Sequence, residues 1–219
     1  LNKLVLIINS NRFFYLYTVF YTIPVTNPLR IVVSANIKKK KITAQFCLLN
    51  LMMITEHFEG IVKEKFGYDY SPSQQVAMEH FLAFLFDRHP ESLFLLKGFA
   101  GTGKTSLVAA IVNTLVQFEQ QIVLLAPTGR AAKVFSGYSR QPAFTIHKKI
   151  YRQKNAREGV GIFNLGFNGN ANTLFFVDEA SMISTNSQDS NFGTGSLLDD
   201  LMEFVYNGRN NRLVLIGDK

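Results

Sequence analysis

Beyond residue 90 four short apolar runs recur, each bounded by turn or helix signals: residues 92–97 (SLFLLK), 121–126 (QIVLLA), 173–177 (TLFFV) and 212–216 (RLVLI). They do not alternate apolar with polar positions, so they read as strands apolar on both faces and predict a parallel sheet covered by helices. Between them, helical segments are expected over residues 104–118, over residues 130–135 stopping at Gly137, and over residues 197–205 with Ser196 as cap and Asp199 at its third position. Strand and helix in repetition give an α/β class.

Upstream, Ile54, Phe58, Ile61, Val62 and Phe66 recur at helical spacing from Met53 and predict a short amphipathic helix ending near Gly67. Ser71 then reads as an N-cap, with Pro72 at the first helical position and Gln74 three residues after the cap. Met78, Phe81, Leu82 and Leu85 form the buried face of this second helix, which His89-Pro90 closes. Two stretches read as loops: residues 152–172, an insertion with four Gly and five Asn, and residues 184–195 (STNSQDSNFGTG).

A chain of 219 residues with 47% hydrophobic composition has enough apolar surface for a core, which excludes disorder throughout. Its single cysteine, Cys47, excludes an internal disulfide, and His57, His80, His89 and His147 lack the cysteine partners and spacing of a zinc module. The net charge of +7 changes meaning once it is located. Residues 1–51 hold five Lys and two Arg with no acidic residue, and the remaining 16 basic residues are matched by all 16 acidic ones. Overall basicity is therefore no argument for nucleic acid.

Residues 1–51 begin with Leu and show no clean period. The apolar stretch 13–25 (FFYLYTVFYTIPV) falls short of the ~20 residues of a membrane span. Lys3 ahead of an apolar region fits a signal sequence. The alternative is sequence translated upstream of a start at Met52 or Met53, which makes the segment an atypical extension outside the fold.

The strongest chemical signal is residues 98–105, GFAGTGKT, which match G-x-x-x-x-G-K-[ST] directly after a strand and opening a helix. Gly98, Gly101 and Gly103 let the backbone turn so that its N–H groups face inward, and the helix beginning near Lys104 adds its dipole. Gly98, Ala100, Gly101, Thr102, Gly103, Lys104, Thr105 and Ser106 are thus the expected phosphate cradle. Lys104 is expected to reach the β- and γ-phosphates, and Thr105 to place its hydroxyl on Mg²⁺. The third strand ends in Asp178-Glu179, at the edge where α/β sheets bind ligands. Asp178 is expected to hold Mg²⁺ and Glu179 to polarise the water that attacks the γ-phosphate.

With these motifs placed, residues 71–219 resemble the first, RecA-like motor domain of superfamily 1B DNA helicases, RecD-like ATPases in particular. The resemblance rests on six patterns in order. Residues 71–74 (SPSQ) are similar to the adenine-sensing Q motif, with Gln74 as its glutamine, Gln75 the other candidate, and a capping box as the competing role for Gln74. The phosphate loop follows. Residues 126–132 (APTGRAA) are similar to a segment gripping single-stranded DNA, which implicates Pro127, Thr128, Gly129 and Arg130; an ordinary turn capped by Thr128 is the competing reading. Thr145 and His147 resemble a further DNA-contacting segment, with Lys148 and Lys149 adjacent. Residues 178–181 (DEAS) resemble motif II, and Gly217-Asp218-Lys219 the opening of motif III.

The resemblance implies an ATP- and Mg²⁺-dependent cytoplasmic DNA helicase motor, with single-stranded DNA as partner, no membrane association, and 5′ to 3′ travel in the full-length protein. Three regions are expected: 1–51 as an atypical extension, 52–91 as N-terminal helices with the Q-motif-like segment, and 92–219 as the RecA-like ATPase domain. The chain stops before the motif III glutamine and before the second motor domain with its arginine finger. Weak nucleotide binding and poor hydrolysis are therefore expected of these 219 residues alone. The rival readings are a P-loop ATPase of switch or clamp-loader type and an inactive nucleotide-binding fragment.

Overall fold

The computed structural model describes residues 39–87, 89, 91–154, 162–183 and 192–218. Most of the extension 1–51 lies outside them, as do parts of both expected loops and Lys219. The chain divides into two compact units, 1–44 and 45–219, and the fold below is that of the second.

Two helices come first, α1 (Lys39–Phe66) and α2 (Pro72–Phe86). The core elements then follow as β1 (Leu93–Gly98), α3 (Lys104–Gln117), β2 (Gln121–Ala126), α4 (Gly129–Ser139), β3 (Ala143–Thr145) and α5 (Ile146–Ile150). After these come β4 (Tyr151–Lys154), β5 (Ile162–Leu165), β6 (Thr173–Val177), a 3₁₀ turn (Ala180–Met182), α6 (Leu197–Tyr206) and β7 (Arg212–Asp218). Five strands form a wholly parallel sheet in the order β1-β7-β6-β2-β3. The α/β architecture expected from the apolar runs, a parallel sheet covered by helices, is the one observed, and it fits the RecA-like P-loop fold that the resemblance implies. β4 and β5 form a separate antiparallel pair within the stretch read as an insertion.

The central strands show why their sequences do not alternate. Successive side chains on a strand point to opposite faces, and both faces here are covered. Leu174 and Phe176 of β6 and Val214 and Ile216 of β7 join the core beneath α2 and α3, where Phe81 lies beside Phe176. Phe175 and Val177 of β6 and Leu213 and Leu215 of β7 face the opposite core with Leu201, Phe204 and Val205 of α6. Each such aromatic or aliphatic side chain stabilises the sheet by about 1.5–3 kcal/mol when fully buried.

Several sequence expectations need correction. β1 is an edge strand with one covered face: Phe94 and Leu96 pack inward, while Leu93 and Leu95 are 43% and 51% exposed. The first helix begins at Lys39 rather than Met53 and runs across residues 51 and 52. α2 stops at Phe86, with Asp87 as its C-cap, ahead of His89. α4 continues through Gly137 to Ser139, because Phe135 is fully buried beneath it and Arg140, at φ 53°, closes the helix where Gly137 was expected to. β3 was not anticipated; its three residues are too few to carry a period.

Candidate functional site

β1 delivers the chain to the sheet's C-terminal edge, and residues 98–103 turn there into α3. Gly101 and Gly103 sit at φ 77° and 78°, conformations an L side chain rarely adopts. A Cβ at Gly103 would also come within 3.0 Å of the Gln74 amide nitrogen. Lys104, Thr105 and Ser106 form the first turn of α3, whose N–H groups have no partners within the helix, and Gly103 supplies no side-chain cap. Backbone donors and a helix N-terminus therefore converge where an anion would lie.

The loop is braced from two sides. Gln74 accepts the Ser71 N–H on Oε1 at 2.9 Å, completing the capping box of α2, and donates from Nε2 to the Thr102 carbonyl at 3.0 Å. The cap and the contact with the phosphate loop are made by the same side chain. Gln75 instead donates to Glu59 on α1 at 3.0 Å. Within the loop, the Phe99 carbonyl accepts from the Thr102 hydroxyl at 2.8 Å and from Lys104 Nζ at 2.8 Å.

β6, two strands away from β1, brings in the acids. Asp178 is buried, and its Oδ2 accepts from the Thr105 hydroxyl at 3.3 Å. Its Oδ1 accepts the Glu179 N–H at 3.0 Å, and its own N–H donates to the Leu125 carbonyl of β2 at 3.0 Å. Burial pushes the Asp178 carboxyl above the ordinary carboxylate range, against the opposing pull of those hydrogen bonds and of Lys104. Glu179 is raised as well, by burial first and then by the negative charge of Asp178 and Asp218. Glu179 occupies the left-handed region at φ 55° without being glycine, a strained conformation of the kind that gathers at working sites. Perturbed acids beside a lysine and an open loop mark this edge as the candidate site.

Among the described residues no cluster of three or more His, Cys, Asp or Glu side chains forms a ready metal cage. The Thr105 hydroxyl and Asp178 carboxylate nevertheless present hard oxygen donors together. Such a pair suits Mg²⁺, which takes one or two protein ligands and completes its shell with water and phosphate.

A second feature lies along the same sheet edge. Ala126 of β2 pairs with Thr145 of β3, so residues 127–130 and 145–147 leave the sheet side by side. Thr128 caps α4 by accepting the Ala131 N–H at 3.2 Å, and Thr145 caps α5 by accepting the Lys148 N–H at 3.3 Å. Pro127 is partly covered, while Gly129 and Arg130 are exposed. Between α4 and β3 runs an open groove of about 520 Å³ whose lining includes Gly129, Lys133, Ser136, Thr145 and Lys148. His147 is exposed beside it and packs on Tyr151 and Phe192, and partial desolvation lowers its proton affinity.

The sequence reading passed over two residues of interest. Lys133 stands one helical turn after Gly129 and faces the groove, a signal the i, i+4 spacing carried. Asp218, noted only as part of a pattern, forms an ion pair with Lys104 at 2.7 Å. No local spacing could have shown that, because the parallel register of β1 and β7 is what sets Gly98 opposite Asp218.

Residues 69–219 match the model of a family described as AAA domain. Among solved structures, the chain is similar to the Pif1 helicase from Candida albicans at 19% identity with a TM-score of 0.41, covering 69% of this chain and 33% of that one. The chain thus spans about a third of that helicase's length.

Proposed function

The chain belongs to the AAA domain family, and on that footing we propose that it is the nucleotide-binding half of an ATP-dependent DNA helicase motor. One observation carries the reading: the phosphate loop, Lys104 and the Thr105–Asp178 pair meet at one sheet edge, with Glu179 adjacent. The backbone of residues 98–103 and the first turn of α3 bind the phosphates, Lys104 neutralises their charge, and Gln74 stiffens the loop that receives them. Thr105 and Asp178 would hold Mg²⁺, which supplies charge neutralisation and phosphate orientation when bound. Glu179, with its proton affinity raised and its backbone turned out of the strand, orients and deprotonates the attacking water.

Single-stranded DNA is proposed to run over the groove between α4 and β3. Thr128, Gly129 and Arg130 meet its backbone at a helix N-terminus, and Lys133 and Lys148 add charge. Thr145 and His147 complete the contact. Loop, acids and groove share one sheet edge, so phosphate occupancy at α3 can bias the DNA grip at α4. Travel in the 5′ to 3′ direction and a cytoplasmic location belong to the same proposal. Among the described residues no helix is long and apolar enough to cross a membrane.

Fluorescence anisotropy of a labelled single-stranded oligonucleotide, with and without ATP–Mg²⁺, tests the reading. The motor reading predicts salt-dependent binding whose strength changes with nucleotide. Nucleotide binding with no affinity for DNA would favour a switch-type or clamp-loader-type ATPase.

A further inference from the structure

Lys104 carries three N–H donors, and the structure accounts for all three. They point to the Gly98 carbonyl at 2.9 Å, the Phe99 carbonyl at 2.8 Å and Asp218 Oδ1 at 2.7 Å. The lysine is folded back against its own loop, and its side chain is only 13% exposed. A phosphate oxygen can be engaged only if one of these partners is given up. Two are neutral carbonyls within the loop. The third is a carboxylate, 45% exposed, and it would repel the incoming phosphate.

Asp218 stands where it does for a structural reason. The β1–β7 register ends with Gly98 opposite Asp218, so β7 carries a carboxylate to the base of the phosphate loop. Its backbone N–H donates to the Ser181 hydroxyl at 3.4 Å, just past the Asp178-Glu179 pair, which leaves the carboxylate itself turned toward Lys104.

We infer that Asp218 is a positioning residue that holds Lys104 in a nucleotide-free orientation and competes with phosphate for it. This rests on the reading of residues 98–105 as a phosphate site. Nucleotide entry exchanges one anion for another on the lysine and frees the end of β7. The carboxylate therefore weakens nucleotide binding and keeps the empty site from presenting an uncompensated cation.

Equilibrium titration of a fluorescent ADP analogue into the 219-residue chain tests this in four forms: wild type, Asp218→Asn, Lys104→Ala and the double variant. Asp218→Asn should bind about two- to fivefold more tightly, the range expected for losing one partly exposed ion pair. Lys104→Ala should bind more weakly than wild type, and adding Asp218→Asn to it should give a clearly smaller gain than in the wild-type background, because the competition has lost its object and only the direct repulsion of phosphate is left to remove. An equal gain in the Lys104→Ala background would overturn the inference, since simple removal of a negative charge would explain it. So would Asp218→Asn binding no tighter than wild type while Lys104→Ala weakens binding. Full affinity in Lys104→Ala would instead bring down the phosphate-site reading beneath it. A thermal melt accompanies each form, and Asp218→Ser replaces Asp218→Asn if that variant does not fold.

Discussion

The amide nitrogen of Gln74 donates to the carbonyl of Thr102 at 3.0 Å, while the oxygen of the same amide caps α2. A helix that precedes the sheet is thereby tied to the loop of residues 98–103, the proposed phosphate cradle. Replacing Gln74 by Ala should cost about 1 kcal/mol of stability through the lost cap and loop bond, and should weaken nucleotide binding.

Gln74→Glu separates the two roles. It keeps an oxygen for the Ser71 N–H but sets a carboxylate oxygen against the Thr102 carbonyl. Melting temperature should fall less than in the alanine variant, because the cap is kept, while nucleotide affinity falls about as far. Wild-type affinity in Gln74→Glu would show that the contact with Thr102 does not shape the loop.

Asp178 gives a pH-dependent prediction. Burial raises its folded-state pKa, so the folded chain binds the proton more readily than the unfolded chain. The cost of the buried charge is absent below the ordinary carboxylate range, grows as pH rises through the folded value and is full above it. Asp178→Asn removes the charge and keeps one of the two acceptor oxygens, so either the Thr105 hydroxyl or the Glu179 N–H loses its partner. Relative to wild type the variant should gain stability as pH rises through the folded-state pKa of Asp178 toward neutrality, with the gain shrinking on acidification. Thermal melts across pH check this, and a gain that does not vary with pH would contradict it.

How much of this could be read from sequence depended on whether the determining interactions were local. β2 and β6 matched their apolar runs residue for residue because both faces of each are buried. The capping box at Ser71 and Gln74 and the loop at 98–105 are set within a few residues, and both were legible. β3 was too short to announce itself, and only its pairing with β2 makes it a strand. The exposure of Leu93 and Leu95 depends on β1 lying at a sheet edge, which its sequence does not encode. The end of α4 was misplaced because Gly137 is a weak stop when Phe135 is anchored in the core. The Lys104–Asp218 pair joins residues 114 positions apart in sequence and depends on the β1–β7 strand register.

The groove between α4 and β3 predicts a specific electrostatic signature. Removing one phosphate contact from single-stranded DNA lowers the slope of log affinity against log salt by about 0.7. Lys133→Ala and Lys148→Ala should each do so, and each should weaken binding similarly across oligonucleotide sequences. Salt titrations by anisotropy measure this, and slopes identical to wild type in both variants would remove the groove from the DNA path.

The most direct test of the central claim is the Mg²⁺ dependence of ATP affinity by equilibrium titration, in wild type, Lys104→Ala and Thr105→Ala. The account predicts that Mg²⁺ strengthens wild-type binding, that Lys104→Ala loses about tenfold or more with or without the metal, and that Thr105→Ala loses chiefly the Mg²⁺-dependent gain. Equal ATP affinity in all three proteins, unaffected by Mg²⁺, would contradict it.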